Sequence, residues 1–105
     1  MTGVKTKADY LRACEVTKRV IDAWDPYNLL SEGAPSDEFD GYIARVVTYV
    51  PQMLTPEDAI AAVSRIFSEA FEPELFRPSH CQDVGTKLFS ALAQAGLLPS
   101  ARRVN

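Results

Sequence analysis

At 105 residues, with 47% hydrophobic and 24% charged side chains, the chain reads as one globular domain with no room for a second core, long enough to fold without metal or disulfide. Eleven Lys and Arg against fourteen Asp and Glu leave a formal charge of -3. That balance argues against general nucleic-acid binding, which needs a basic footprint.

The two cysteines, Cys14 and Cys81, are far apart in the sequence. The N-terminus is polar and lacks the apolar segment of a signal peptide, and no apolar run approaches the ~20 residues of a membrane span. A cytoplasmic chain with reduced thiols is the expectation, with both cysteines as small packing residues.

The first helix is predicted over about Lys7 to Trp24. Tyr10, Cys14, Thr17, Ile21 and Trp24 recur at spacings of three and four and are the expected buried stripe, with Arg12, Glu15, Arg19 and Asp22 opposite. Asp25 precedes Pro26 and should end the helix. Residues 25–37, DPYNLLSEGAPSD, follow no period and hold two prolines. Tyr27, Leu29 and Leu30 are too apolar for a solvated loop, so an ordered loop folded back onto the bundle is expected, and long ordered loops often carry function.

The second helix is predicted over about Asp37 to Val50, with Phe39, Ile43, Val46, Val47 and Val50 on one face. The β-branched run Val46 to Val50 favours a strand, but Pro51 closes the segment and no partner strand is evident. In the third helix Thr55 stands as N-cap, Pro56 takes the first helical position, and Glu57 and Asp58 complement the positive end. Its face runs Ile60, Val63, Phe67, Ala70 and Phe71. FEPELFRP, with two prolines, cannot continue it.

The fourth helix is predicted from Ser79, with Gln82 completing a capping box. Its face is Val84, Leu88, Ala91, Leu92 and Ala95, and Gly96 is a left-handed cap after which Leu97 and Leu98 fold back. The expected fold is all-α: a small single-domain bundle of four main helices, structured over about residues 7–98, with a long ordered loop between the first and second helices. Residues 1–6 and 99–105 are expected to fray.

Charge is distributed unevenly. Residues 1–19 carry +3, residues 20–44 carry -6 and residues 45–105 carry none net. The middle segment holds Asp22, Asp25, Glu32, Asp37, Glu38 and Asp40 and no base. Two readings stand. One is a negative surface that steers and selects a basic partner. The other is helix capping by Asp37, Glu38 and Asp40 in the first turn of the second helix.

Trp24 and Phe39 read as core, whereas Tyr27, Tyr42 and Tyr49 beside the acids resemble an interface patch. The three carboxylates lack the spacing and glycine of an EF-hand, and one histidine with two dispersed cysteines matches no zinc pattern. His80 and Cys81 are adjacent and would point about 100° apart on a helix, so they form no Cys–His dyad. No cofactor is implied.

Trp24-Asp25-Pro26, followed by Ala34-Pro35-Ser36-Asp37-Glu38-Phe39-Asp40, resembles a small bacterial family known as domain-of-unknown-function family 1871, whose members show WDP, a short loop, then P-x-D-E-aromatic-D. Ile60 to Phe71 resembles that family's third-helix pattern. The resemblance covers about residues 10–72. The family usually has a glutamate two positions after the last Asp, where this chain has Tyr42, and it carries no established activity.

Small helical acidic proteins of this kind are similar in character to immunity proteins that neutralise bacterial toxins. The function expected is therefore a non-enzymatic acidic binding protein, an immunity protein that covers a basic toxin domain such as a nuclease. Asp25, Tyr27, Glu32, Asp37, Glu38, Asp40 and Tyr42 are the candidate contact residues. The alternatives are a small carboxylate-based enzyme or metal-dependent regulator, and a homodimeric structural or interaction bundle.

Overall fold

Helix α1 spans Lys7–Trp24. It starts where Thr6 turns extended and its hydroxyl accepts the Asp9 amide at 3.1 Å, while the Asp9 carboxylate accepts the amides of Lys5 and Thr6 at 3.0 and 3.3 Å. Two of the free amides at the helix start are thereby satisfied. These hydrogen bonds hold the Asp9 carboxyl below the usual carboxylate range. The helix stops at Asp25, whose backbone is left-handed (φ 49°) and which precedes Pro26.

These elements come from a computed structural model that describes residues 4–99; the expectation of frayed ends falls, for residues 1–3 and 100–105, outside them. The described residues form four helices and no strand. Helix α2 is Asp40–Val47, α3 is Pro56–Ala70 and α4 is Gln82–Gln94, with loop 26–39 joining α1 to α2. The four-helix reading and the ordered loop both stand.

The buried face of α1 is a correction. Ala13, Val16, Thr17 and Ile21 are buried, whereas Tyr10 is 37% exposed and Cys14 and Trp24 are half-buried. The helix packs against both α2 and α4. The smaller residues meet its neighbours and the larger ones flank the seam, a choice that periodicity alone does not make.

Helix α2 is shorter than expected at both ends. Residues before it form successive turns, with the Glu38 amide on the Pro35 carbonyl and the Asp40 amide on the Asp37 carbonyl. Beyond Val47, the amides of Thr48 and Tyr49 bond three residues back, and Val50–Gln52 continues as a 3-10 turn around Pro51. Val46 to Val50 is no strand, and Phe39, Ile43, Val46, Val47 and Val50 are all buried.

Helix α3 starts as expected, with Thr55 and Asp58 forming a capping box and Pro56 opening the helix, but of its expected face only Val63 and Phe67 are buried; Ile60, Ala70 and Phe71 are half-buried, and Ala59, Ala62, Ser64 and Ile66 complete the buried side. After Ala70 the chain makes two 3-10 turns, Pro73–Leu75 and Pro78–His80. Helix α4 therefore begins at Gln82, not Ser79. Its N-cap is Cys81, with no side-chain capping bond, because Ser79 is spent in the second 3-10 turn. Gly96 is left-handed (φ 73°), the Leu97 amide returns to the Leu92 carbonyl at 3.0 Å, and Leu97 and Leu98 are buried.

Helices α3 and α4 pack closely at Gly85. A Cβ there would lie 2.5 Å from Ile60 Cγ1, 2.6 Å from its Cα and 2.8 Å from its nitrogen. Two of those atoms are backbone, so no side-chain rotation relieves the clash. Gly85→Ala should lower stability by about 1–3 kcal/mol despite the better helix propensity of alanine. Gly41, in α2, has nothing within 4 Å of such a Cβ. Gly41→Ala should raise stability by about 0.5 kcal/mol. Urea unfolding of the two variants checks both signs.

Candidate functional site

Loop 26–39 is built on the carboxylate just before it. The Asp25 side chain accepts the amides of Leu30 at 2.8 Å and Ser31 at 3.0 Å. The Asn28 amide bonds to the Asp25 carbonyl and the Glu32 amide to the Asn28 carbonyl, closing a tight coil. Gly33 (φ 104°) reverses it, and the Ala34 amide returns to the Leu29 carbonyl at 2.9 Å. At the far end Lys18 donates to the Ser36 carbonyl and the Asp40 carboxylate, both at 2.7 Å, and pairs with Asp22 at 3.1 Å. These partners, Asp40 first, raise the Lys18 ammonium above its ordinary value. Both ends of the loop are thus held.

Three non-glycine residues here are left-handed: Asp25 (φ 49°), Tyr27 (φ 62°) and Asn28 (φ 56°). Asp and Asn tolerate that region, but for tyrosine it is unfavourable. Tyr27 is held there by its ring and hydroxyl. The ring lies 5.5 Å from that of Phe71 and 5.7 Å from that of Phe76, and the hydroxyl donates to Glu72 Oε1 at 2.9 Å. The side chain is nevertheless 44% exposed.

Behind it stands an aromatic cluster. Trp24 meets Phe67 and Phe76 edge-on at 5.2 and 5.7 Å, and Tyr42 meets Phe71 and Phe67 at 5.2 and 5.7 Å. Edge-to-face and tilted arrangements of this kind suit the ring quadrupoles. Trp24 packs against the core from a half-buried position, and Tyr42 and Tyr49 are also half-buried rather than projecting.

The acids of the segment divide into three groups. Asp25 faces inward onto backbone amides. Asp22 and Asp40 share Lys18. Glu32, Asp37 and Glu38 are exposed, and among the described residues their carboxylates make no hydrogen bond or ion pair. Helix capping does not use Asp37 and Glu38: α2 begins at Asp40 with Phe39 as N-cap, and no side chain bonds its first amides.

The fold adds a second acidic run. Residues 66–76 contain Glu69, Glu72 and Glu74 and no Lys or Arg. Tyr27 ties Glu72 directly to loop 26–39. Glu69 is paired with Arg45 at 2.8 Å and Arg65 at 3.4 Å, and Glu74 is exposed. A balanced average over residues 45–105 hides this run; a window of about ten residues finds it.

Other chemistry is sparse. No three His, Cys, Asp or Glu side chains converge as a metal set among the described residues. Cys81 is buried, its thiol donates to the Phe76 carbonyl at 3.6 Å, and burial pushes its pKa up to about 11, so it is no thiolate nucleophile at neutral pH. His80 beside it is exposed. A cleft of about 660 Å³ between α1 and α2 is lined by Leu11, Cys14, Lys18 and Ile43, with Asp40 at its edge. No helix of the described residues is long and apolar enough to cross a membrane.

No family model, curated protein or solved structure matches the chain.

The Tyr27–Glu72 contact has a pH signature. Burial, then the Glu72 hydrogen bond and charge, raise the Tyr27 phenol above its ordinary value. A raised folded pKa means the contact contributes fully below the ordinary tyrosine pKa and is lost as pH rises through the folded one. In a phenolate absorbance titration, Tyr27 should ionise late, and Glu72→Gln should move it back toward its ordinary range. The Asp25 carboxylate is the other support: Asp25→Ala should cost about 1–2 kcal/mol by leaving two loop amides without partners, read by thermal unfolding.

Proposed function

We propose that the chain is a non-enzymatic binding protein that takes a basic protein partner on the acidic face made by loop 26–39 and residues 71–76. One observation carries this reading: among the described residues Glu32, Asp37 and Glu38 neither cap a helix nor form an ion pair, yet they sit on a loop pinned at both ends. Exposed acids on an ordered loop make no contact among the described residues that accounts for them. They gain by meeting positive charge, which steers association and excludes acidic competitors.

The partner class we propose is a cationic toxin domain such as a nuclease, which an immunity protein of this design neutralises by covering it. The size of the chain and the scattered carboxylates are compatible with that role. A carboxylate enzyme would need the acids to converge, and here Asp25 faces its own loop while Asp37 and Glu38 face solvent.

The test compares the immobilised wild-type chain with the triple variant Glu32→Lys, Asp37→Lys and Glu38→Lys in lysate from the source cell. The wild type should retain a basic protein that salt releases, and the triple variant should not. Single reversals should each weaken binding by roughly 2–5-fold, mainly through the on-rate, as exposed rim charges do. Glu57 and Asp83 serve as reversal controls after a circular-dichroism check of fold. Asp58 is unsuitable, because its carboxylate accepts the amides of Leu54 and Thr55. Equal retention by the wild type and the triple variant overturns the reading.

A further inference from the structure

The acids described so far give the partner's sign but not its shape. The structure adds an apolar corner to them. Tyr27 is 44% exposed and Leu75 is 50% exposed, and Glu72 connects the two. Its carboxylate accepts the Tyr27 hydroxyl at 2.9 Å, and its carbonyl accepts the Leu75 amide at 3.0 Å. The corner is built from two segments that are distant in sequence, and both carry acids without a base over residues 20–44 and 66–76. The Tyr27 ring cannot fold away: Phe71 and Phe76 back it, and its hydroxyl is tethered.

We propose that this corner anchors an arginine of the basic partner, with its guanidinium over the Tyr27 ring and against the Glu72 carboxylate, and a neighbouring aliphatic side chain on Leu75. The inference rests on the binding-protein reading and deepens it by naming the anchoring residue type.

The argument is one of chemical fit. A flat aromatic ring beside a carboxylate offers both a cation–π face and a forked acceptor. Guanidinium is planar, weakly hydrated and presents paired donors, so it satisfies both at once; an ammonium is a compact, strongly hydrated point charge that satisfies one. A preformed aromatic anchor ringed by polar residues is the usual anatomy of an interface hot spot. Exposed carboxylates of Glu32, Glu38 and Glu74 lie on the same two segments and add to the negative charge there.

Two probes test it: a hexapeptide alternating arginine and leucine, and its lysine counterpart, each titrated into isotope-labelled protein and followed by amide chemical shifts. The arginine peptide should shift Tyr27, Glu72 and Leu75 and bind about five-fold or more tighter than the lysine peptide, reflecting the stacked and forked contacts that lysine lacks. Leu75→Ser, a change at an exposed position, and Glu72→Gln should each weaken the arginine peptide by about three-fold or more, as loss of an anchor contact does. Tyr27→Phe keeps the ring and should bind within about two-fold of wild type, whereas Tyr27→Ala should lose most of the binding.

Equal affinity for the two peptides, or affinity unchanged in Leu75→Ser and Glu72→Gln, overturns the inference. If at the same time the triple reversal at Glu32, Asp37 and Glu38 weakens both peptides, the binding-protein reading stands without the corner. Absence of binding by either peptide also overturns the inference, and the lysate capture then decides the broader reading by itself.

Discussion

The fold turns on one backbone carbonyl. The oxygen of Phe76 accepts the Ser64 hydroxyl at 2.6 Å, the Ser68 hydroxyl at 3.1 Å and the Cys81 thiol at 3.6 Å. Two donors come from α3 and the third from the residue that caps α4, so the 71–81 connection is fastened to both helices it joins. A carbonyl in that position would be costly if left unpaired. Satisfying it places the Phe76 ring within 5.6–5.8 Å of Phe67, Phe71, Trp24 and Tyr27. The end of α1, loop 26–39, α3 and the 71–81 connection therefore meet at one residue.

That junction explains why the acids end up together. Neither acidic run is long, and each lies next to its own bases in the sequence: Lys18 and Arg19 precede one, Arg65 and Arg77 bracket the other. In the folded chain Lys18 is taken up by Asp22, Asp40 and Ser36, and Arg65 with Arg45 by Glu69. Lys18, Arg45 and Arg65 thus pair with Asp22, Asp40 and Glu69, and among the described residues Glu32, Asp37, Glu38 and Glu74 form no ion pair. Selective neutralisation, rather than total charge, gives the molecule its polarity; the net -3 understates it.

The sequence is legible where structure is decided locally. Helix α3 could be read from Thr55, Pro56 and Asp58 because a capping box is a contact among neighbours. The Gly96 turn and the return of Leu97 and Leu98 have the same local character. Periodicity does not identify the buried face of α1, because which of two adjacent stripes is buried depends on where α2 and α4 lie, and Ala13 carries little periodic signal. The starts of α2 and α4 were misplaced because Asp37 and Ser79 are good caps that 3-10 and turn hydrogen bonds pre-empt. The role of Phe76 was invisible, since its partners Ser64 and Ser68 lie twelve and eight residues earlier on a helix face. Of the candidate contacts, Asp25 and Tyr42 fell inward for the same reason: the aromatic cluster and the loop amides that claim them are properties of the folded chain.

A left-handed tyrosine in an otherwise well-accommodated loop is the place where local preference and tertiary structure disagree. Non-glycine residues in that region cost on the order of 1 kcal/mol or more, and they persist where the surroundings over-determine them. Tyr27 meets that condition through two phenylalanine rings and the Glu72 carboxylate. If the residue served packing alone, fuller burial would be the cheaper solution, yet Tyr27 is 44% exposed. What the conformation secures is a fixed aromatic surface. Ordering a free residue on binding costs about 1–2 kcal/mol in backbone entropy, and a loop already fastened by Asp25 and Lys18 avoids most of that cost. The strain at Tyr27 thus holds an aromatic surface in place in the free chain, the preorganisation that the proposed docking surface requires.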